Sequence, residues 1–200
     1  MKDIIIIGAS AHGRIAADTI KSMGGNIRGF IDDAFDVGSK IDEIPVLGST
    51  ECVENYQDCE YIIAIGNREI RKKLSSLPVQ WATIIHPSAI ISPSAKIGKG
   101  SFVMPLAIVN ASASVGDFSI VKSGAVIEFG TKTGDFCNFA PNSAVGSSSN
   151  IGNSVQISIG ASVRNNINIC DNVTVGAGAV VIRDIKESGA YVGVPAKKID

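Results

Sequence analysis

A surplus of charge of either sign is absent from this 200-residue chain: 18 Lys and Arg stand against 19 Asp and Glu, for a net charge of -1. A protein that holds polyanions needs a basic excess, so neither nucleic acid nor an anionic membrane is an expected partner. Long apolar runs are missing too. The stretch Ile4 to Ile7 is cut by Gly8, far short of the roughly 18 residues of a spanning helix, so the chain is expected to be soluble, unexported and without membrane insertion. Histidine is limited to His12 and His86, and the four cysteines, Cys52, Cys59, Cys137 and Cys170, contain no C-x-x-C pair. No metal site is therefore expected, and free thiols suit a reducing cytoplasm. Aromatic residues are scarce, with one Trp, three Tyr and seven Phe, whereas hydrophobic residues make up 45% and glycine numbers 21. Disorder is excluded, and the core must come from small and branched residues.

Those residues recur with a fixed period. Every sixth residue from Ile85 to Val181 is Ile or Val in fifteen of seventeen cases, the exceptions being Thr133 and Phe139. Four residues after each, from Ala89 to Ile185, stands Ala, Ser, Thr or Cys in thirteen of seventeen cases. The register does not slip across the whole stretch. Hairpin strands alternate with period two and vary in length, so they cannot produce it. A six-residue period with one branched and one small residue per unit predicts a parallel β-helix of short straight walls, three to a coil. The branched residue points inward and the small one lets the chain turn, with Gly98, Gly116, Gly134, Gly152 and Gly176 expected to help at the corners.

The first 80 residues follow a different rule. An apolar strand from Lys2 to Ile7 leads into Gly8-Ala9-Ser10-Ala11-His12-Gly13 and a helix from about Arg14 to Met23; further strands are expected at Asn26 to Ile31 and Tyr61 to Ile65, and a helix at Arg68 to Leu77. Alternating strands and helices predict a parallel sheet that binds ligands at the strand C-terminal ends. The glycine turn matches G-x-G-x-x-G only in part, because Ser10 replaces the second glycine. A half-sized unit suits a nucleotide-sized phosphate ligand better than a dinucleotide, with helix N–H groups for the phosphate and Asp32 or Asp33 for ribose or base. These glycines also serve simply to tighten a turn. The domains are expected at 1–80, Rossmann-like, and 81–200, the prism.

Six segments carry a resemblance across nearly the whole chain: Gly8-Ala9-Ser10-Ala11-His12-Gly13, Phe30-Ile31-Asp32-Asp33, the run from Ala64-Ile65-Gly66-Asn67 to Lys73, Ile85-His86-Pro87-Ser88-Ala89, Ile127-Glu128, and Gly193-Val194-Pro195-Ala196-Lys197. Together they resemble the left-handed β-helix, hexapeptide-repeat acyltransferases with an N-terminal Rossmann-like domain. That family includes bacterial UDP-4-amino-sugar N-acetyltransferases and sialic acid O-acetyltransferases. The resemblance implies an α/β half domain followed by an all-β left-handed parallel β-helix, a homotrimer, acetyl-CoA as co-substrate in a groove between two prisms, and a nucleotide-sugar substrate. It implies that Gly8, Ser10, Ala11, His12 and Gly13 hold the diphosphate, Asp32 and Asp33 the base, and that Gly66, Asn67 and Arg68 border the nucleotide. It places Ser147, Ile159, Gly160, Gly176, Ala177 and Gly178 along the coenzyme, with Lys197 near its phosphates.

One departure bears on the chemistry. After the Ile-Glu pair the family carries its catalytic histidine; here that position is Phe129, and a second family histidine corresponds to Asn138. A phenyl ring accepts no proton. An amine is nucleophilic when neutral, whereas a hydroxyl must shed its proton as it attacks, so the missing base favours N-acetylation of a nucleotide-linked amino sugar in surface-glycan biosynthesis, with Glu128 or Asn138 as alternative proton-handling groups. A non-catalytic nucleotide-sugar-binding scaffold and a sialic acid-type O-acetyltransferase stay open.

Overall fold

The computed structural model describes residues 2–199. Two compact units divide the chain, one ending at Pro87 and the other beginning at Ser88. The divide lies beyond position 80 because Gln80–Trp81 pairs in parallel with Glu60–Ile63 and so belongs to the first sheet.

In the first unit the order is β1 (Ile4–Ile7), α1 (Ala11–Ser22), β2 (Ile27–Ile31), β3 (Lys40–Ile41), β4 (Ile44–Gly48), a 3-10 helix (Thr50–Tyr56), β5 (Glu60–Ile63), α2 (Arg68–Leu74) and β6 (Gln80–Trp81). The sheet runs β3-β4-β2-β1-β5-β6 and is parallel except for the β3–β4 hairpin. Strand β1 is four isoleucines, all buried, as a central parallel strand covered on both faces requires. Helix α1 starts at Ala11 rather than Arg14, which places Gly13 inside the helix. A Cβ there would collide with the carbonyl of Gly8, so Gly13 serves close packing of helix on turn. The β3–β4 hairpin has no counterpart in the sequence reading. Its turn residues, Asp42 and Glu43, both take positive φ, 48° and 64°, where Asn-Gly is the usual signal. Arg14 compensates, donating from Nε and Nη2 to the two Asp42 carboxylate oxygens at 2.6 and 2.9 Å.

Tyr61, on β5, fixes the 3-10 helix. Its side chain is fully buried, and its hydroxyl donates to the Val53 carbonyl at 2.6 Å, with the Tyr56 carbonyl 3.2 Å away. Burial pushes the phenol up to about 12.

The second unit is the three-sided column. From Ile90–Ile91 to Val180–Val181 sixteen strands of two or three residues follow one another, and each of the first thirteen pairs in parallel with the strand three further on. Each coil is thus 18 residues, as in the pairing of Ile108 with Val126. The inward positions form the core: Val103, Val109, Val121, Ile127, Phe139 and Val145 have no exposure at all. Thr133 and Phe139, the two exceptions to the aliphatic rule, lie on adjacent walls of one coil. The larger ring is offset by the smaller side chain, which keeps core volume nearly constant. After Val180–Val181 the chain ends in an antiparallel pair, Gly189–Val192 with Lys197–Ile199.

The corners differ from expectation. Positive φ falls at every sixth residue from Gly100 to Gly178, including Leu106, Phe118 and Asn142, and at none of Gly98, Gly116, Gly134, Gly152 or Gly176. Those five are glycine for lack of room: a Cβ on Gly98 would lie 2.5 Å from Asp117 N and Oδ1 of the next coil, and one on Gly176 2.7 Å from Val192 Cγ1. The space beside them is taken by a carboxylate and amide ladder. Asp117, Asp135, Asn153 and Asp171 each accept, through Oδ1, the backbone N–H of the coil before, at 2.7 to 3.0 Å. The small residues also bond. Ser101 and Ser119 accept N–H groups of the following coil and donate to carbonyls of Gly116 and Gly134.

Two measurements check this account. Gly116→Ala forces a Cβ against the Gly134 carbonyl and is expected to cost about 1–3 kcal/mol, a fall of roughly 2–10 °C in the column's thermal midpoint. For Tyr61, the folded pKa lies above the ordinary value of 10, so its contribution is full below about pH 10 and is lost as pH rises toward 12. In circular-dichroism melts over that range, Tyr61→Phe is expected to start about 1 kcal/mol less stable and to show a shallower alkaline decline.

Candidate functional site

At the C-terminal ends of β1 and β2 a cavity of about 660 Å³ opens, lined among others by Gly8, Asp32, Asp33, Thr50, Glu51, Ile65, Ile70, Lys73 and Leu74. Strand-end geometry creates it. Gly8 takes φ +104° and donates its N–H to Ile31 O at 2.8 Å, which turns the chain out of β1. A Cβ at Gly8 would stand 2.9 Å from Ala64 O, so only glycine fits. The Ser10 hydroxyl, at the N-cap of the twelve-residue α1, does not cap the helix, and no acidic side chain occupies its first turn. Nothing on the helix itself thus competes with an anion for that end of the dipole.

The two aspartates are partly committed. Asp32 accepts Ala9 N–H on Oδ2 at 2.7 Å and Ala34 N–H on Oδ1 at 2.9 Å. Asp33 accepts the Thr50 N–H at 2.7 Å and faces the Thr50 hydroxyl at 3.3 Å. Both therefore brace loops while lining the cavity. Gly66 and Asn67 follow Ile65 at the same end of the sheet. Asn67 caps α2, accepting from Glu69 N and Ile70 N at 3.0 and 3.1 Å, and Arg68 opens that helix half-buried, its Nε 3.7 Å from Glu69. Arg71 has no exposed surface, and its Nη1 donates to the carbonyls of Ile65 and Gly66 at 2.9 and 3.1 Å, fixing the loop at the cavity wall. Ser10, Ala11, His12 and Gly13 form the start of α1, next in sequence to the lining residue Gly8.

Sequence reasoning missed Thr50, Glu51, Ile70, Lys73 and Leu74. The spacing of Ile70, Leu74 and Leu77 is a helical apolar stripe that marks the wall, but nothing marks Thr50 and Glu51 once the β3–β4 hairpin is unread.

On the column, the residues expected near a coenzyme fall on two different edges. Ile159-Gly160 and Ala177-Gly178 lie one coil apart on one edge, exposed, with Gly178 N bonded to Ile159 O at 2.9 Å. A Cβ on Gly160 or Gly178 would meet nothing within 4 Å; both take φ +64°. Asn142 takes the same conformation one coil earlier, so the bare ledge is not demanded by packing. Gly176, by contrast, is held against Val192, and Lys197 is exposed in the strand paired with Val192.

Glu128, Phe129 and Ser147 occupy the next edge. Phe129 is 55% exposed, with Ala111 and Ser147 at the equivalent positions of the neighbouring coils. Glu128 is half-buried, and its Oε2 accepts from Asn110 Nδ2 at 3.0 Å and from Phe129 N at 3.4 Å. Ser147 N donates to Asn165 Oδ1 at 3.0 Å. Asn138 lies on another wall, paired with Ile120 and Gln156, and its Oδ1 is buried with no hydrogen-bond partner among the described residues.

The wall between the two edges presents Ile90, Ile108, Val126, Ala144, Ser162 and Val180 outward, whereas the next presents Lys96, Ser114, Lys132, Asn150 and Asn168. Among the described residues no helix is long and apolar enough to cross a membrane, and no His, Cys, Asp and Glu group could hold a metal ion.

Comparison with known proteins agrees with this architecture. Residues 3–76 match the PglD N-terminal domain family. UDP-N-acetylbacillosamine N-acetyltransferase of Bacillus subtilis is 32% identical over 112 residues, and the match spans about half the length of each chain, 52%. The structure of GDP-perosamine N-acetyl transferase from Caulobacter crescentus, a histidine-to-alanine mutant in complex with CoA and GDP-perosamine, superposes with a TM-score of 0.91 at 29% identity, covering 98% of this chain and 96% of that one. The acetyltransferase domain of PglB from Neisseria gonorrhoeae, in complex with acetyl coenzyme A, gives a TM-score of 0.92 at 29% identity, with 99% of both chains covered. A strand-end cavity on a half-sized nucleotide fold, followed by a parallel β-helix of hexads, is the architecture the chain shares with these sugar acetyltransferase structures over nearly its whole length.

Proposed function

We propose that the chain transfers an acetyl group from acetyl-CoA to the amino group of a nucleotide-linked amino sugar, in bacterial surface-glycan biosynthesis. The observation that carries this reading is the pairing, in one chain, of a nucleotide-sized cavity lined by Gly8 and Asp32, from which the chain leads directly to the uncapped start of α1, with a bare ledge at Gly160 and Gly178. The thin pantetheine arm of a coenzyme needs exposed backbone N–H and C=O groups, and glycine leaves them open. Ser10, Ala11, His12 and Gly13 hold the diphosphate in this reading, with Asp32 and Asp33 at the ribose and base and Gly66, Asn67 and Arg68 at the border. Ser147, Ile159, Gly176, Ala177 and Lys197 accompany the ledge on the coenzyme side.

The sugar amine, neutral, attacks the thioester carbonyl carbon; the C–S bond breaks, CoA leaves as the thiol form after protonation, and the new amide nitrogen loses one proton. Backbone N–H groups of the groove hold the oxyanion, and proximity supplies much of the acceleration. The Glu128 carboxylate, held by Asn110, is the group on the Phe129 edge able to take the proton; Asn138 is not, since an amide does not accept one at neutral pH.

A homotrimer completes the site in this reading. Ile159 and Phe129 sit on separate edges flanking an apolar wall, and a groove formed between two copies, with that wall turned inward, brings one edge of each together. The four free cysteines fit a cytoplasmic location.

The reading is tested by thiol release from acetyl-CoA with nucleotide-linked 4-amino-6-deoxyhexoses. CoA release with the amine, little with the corresponding hydroxyl sugar, and a rate that follows the neutral-amine fraction without a histidine inflection near about pH 6.5 are expected. Tight nucleotide-sugar binding with no CoA release would leave the scaffold reading. Phe129→His is expected to raise turnover of hydroxyl acceptors by about tenfold or more, read as initial rates.

A further inference from the structure

We propose that the cavity of the first unit reads guanine, so that the acceptor is a GDP-linked sugar. The inference rests on the nucleotide reading above and adds the identity of the base. Three carboxylates line the cavity, and two are engaged: Asp32 by the N–H groups of Ala9 and Ala34, Asp33 by Thr50. The carboxylate of Glu51 has no partner among the described residues, and its backbone is fixed at the start of the 3-10 helix, where its N–H donates to Ser49 Oγ at 3.4 Å. Tyr61 anchors that helix from below through Val53 O. One cation, Lys73, lines the same cavity, and Ile70 and Leu74 supply an apolar wall from the same helix.

A free carboxylate with both oxygens open suits two adjacent donors. Guanine presents them side by side, N1–H and the N2 amino group, with the O6 acceptor next in line for an ammonium group. Uracil and thymine present a single N3–H flanked by two carbonyls, so the second carboxylate oxygen faces a lone pair. Adenine and cytosine set a ring-nitrogen acceptor beside their amino group and repel it likewise. An acidic reader with one lysine therefore discriminates for guanine and against the pyrimidines.

Calorimetric titration of the full chain with GDP, UDP and dTDP tests this. GDP is expected to bind about tenfold or more tighter than either pyrimidine nucleotide, because a site with a committed polar group rejects bases that cannot pair with it. E51Q, at an exposed position where the fold is not at stake, is expected to bring the three nucleotides to near parity. UDP or dTDP binding as tightly as GDP, or a GDP preference that survives E51Q, overturns the guanine assignment and leaves the nucleotide reading standing. Binding of none of the three at millimolar concentration overturns both.

Discussion

The column depends on one constraint: each straight wall must hand its backbone N–H groups to carbonyls of the equivalent wall of the next coil, three walls and 18 residues on in the chain. Ile108 N bonds Ala125 O, Val126 N bonds Ser143 O and Ala144 N bonds Ala161 O, each at 2.9 Å. Because none of the sixteen strands from Ile90 to Val181 exceeds three residues, no wall could hold this geometry alone. Each coil is the template for the next, and stability becomes a sum of neighbour terms. A one-residue slip would turn an inward Val outward along every wall, which is why the hexad never drifts between Ile85 and Val181.

The same constraint explains which parts of the column are legible. The inward position is dictated by a narrow dry interior, so branched aliphatics recur there and the period stands out. The corner is dictated by two separate demands that fall on different residues. One is a left-handed backbone, met by Gly100 and Gly178 but equally by Leu106, Phe118 and Asn142. The other is clearance from the next coil, which Gly98, Gly116 and Gly134 provide beneath the Asp117, Asp135 and Asn153 side chains. A reading that knows only the conformational freedom of glycine assigns the second group to the first role. Contact with a residue 18 positions on is invisible without the coil.

In the first unit legibility follows the strength of local signals. The four isoleucines of β1, the Gly8 turn and the aspartates after β2 announce a strand-end site by themselves. The far wall of the cavity does not. It is carried by a 3-10 helix held from below by a buried tyrosine hydroxyl, and by a hairpin whose Asp-Glu turn is stabilised by Arg14 rather than by its own residue types. Both are tertiary devices, and Thr50 and Glu51 inherit their position from them. Arg71 is a third case: its charge suggests a surface, yet its role is to satisfy two loop carbonyls from a fully buried position.

Under the proposed reading, Phe129 stands where the resemblance implies a histidine, on an edge whose neighbouring side chains are ordered. In an ordered wall, Glu128 is held by Asn110 from the coil before and by the amide of Phe129 itself, so the loss of the imidazole does not leave the carboxylate idle or adrift. An amine acceptor asks little of such a group. Attack needs no prior deprotonation, and the proton leaves after the C–N bond has formed, when the nitrogen is a far stronger acid. A hydroxyl acceptor asks for a base at the moment of attack, which the phenyl ring cannot supply. Under the proposed reading, the chemistry therefore tolerates at position 129 a side chain chosen for shape, and an exposed ring flanked by Ala111 and Ser147 offers an apolar face to the sugar where the imidazole would have offered a lone pair.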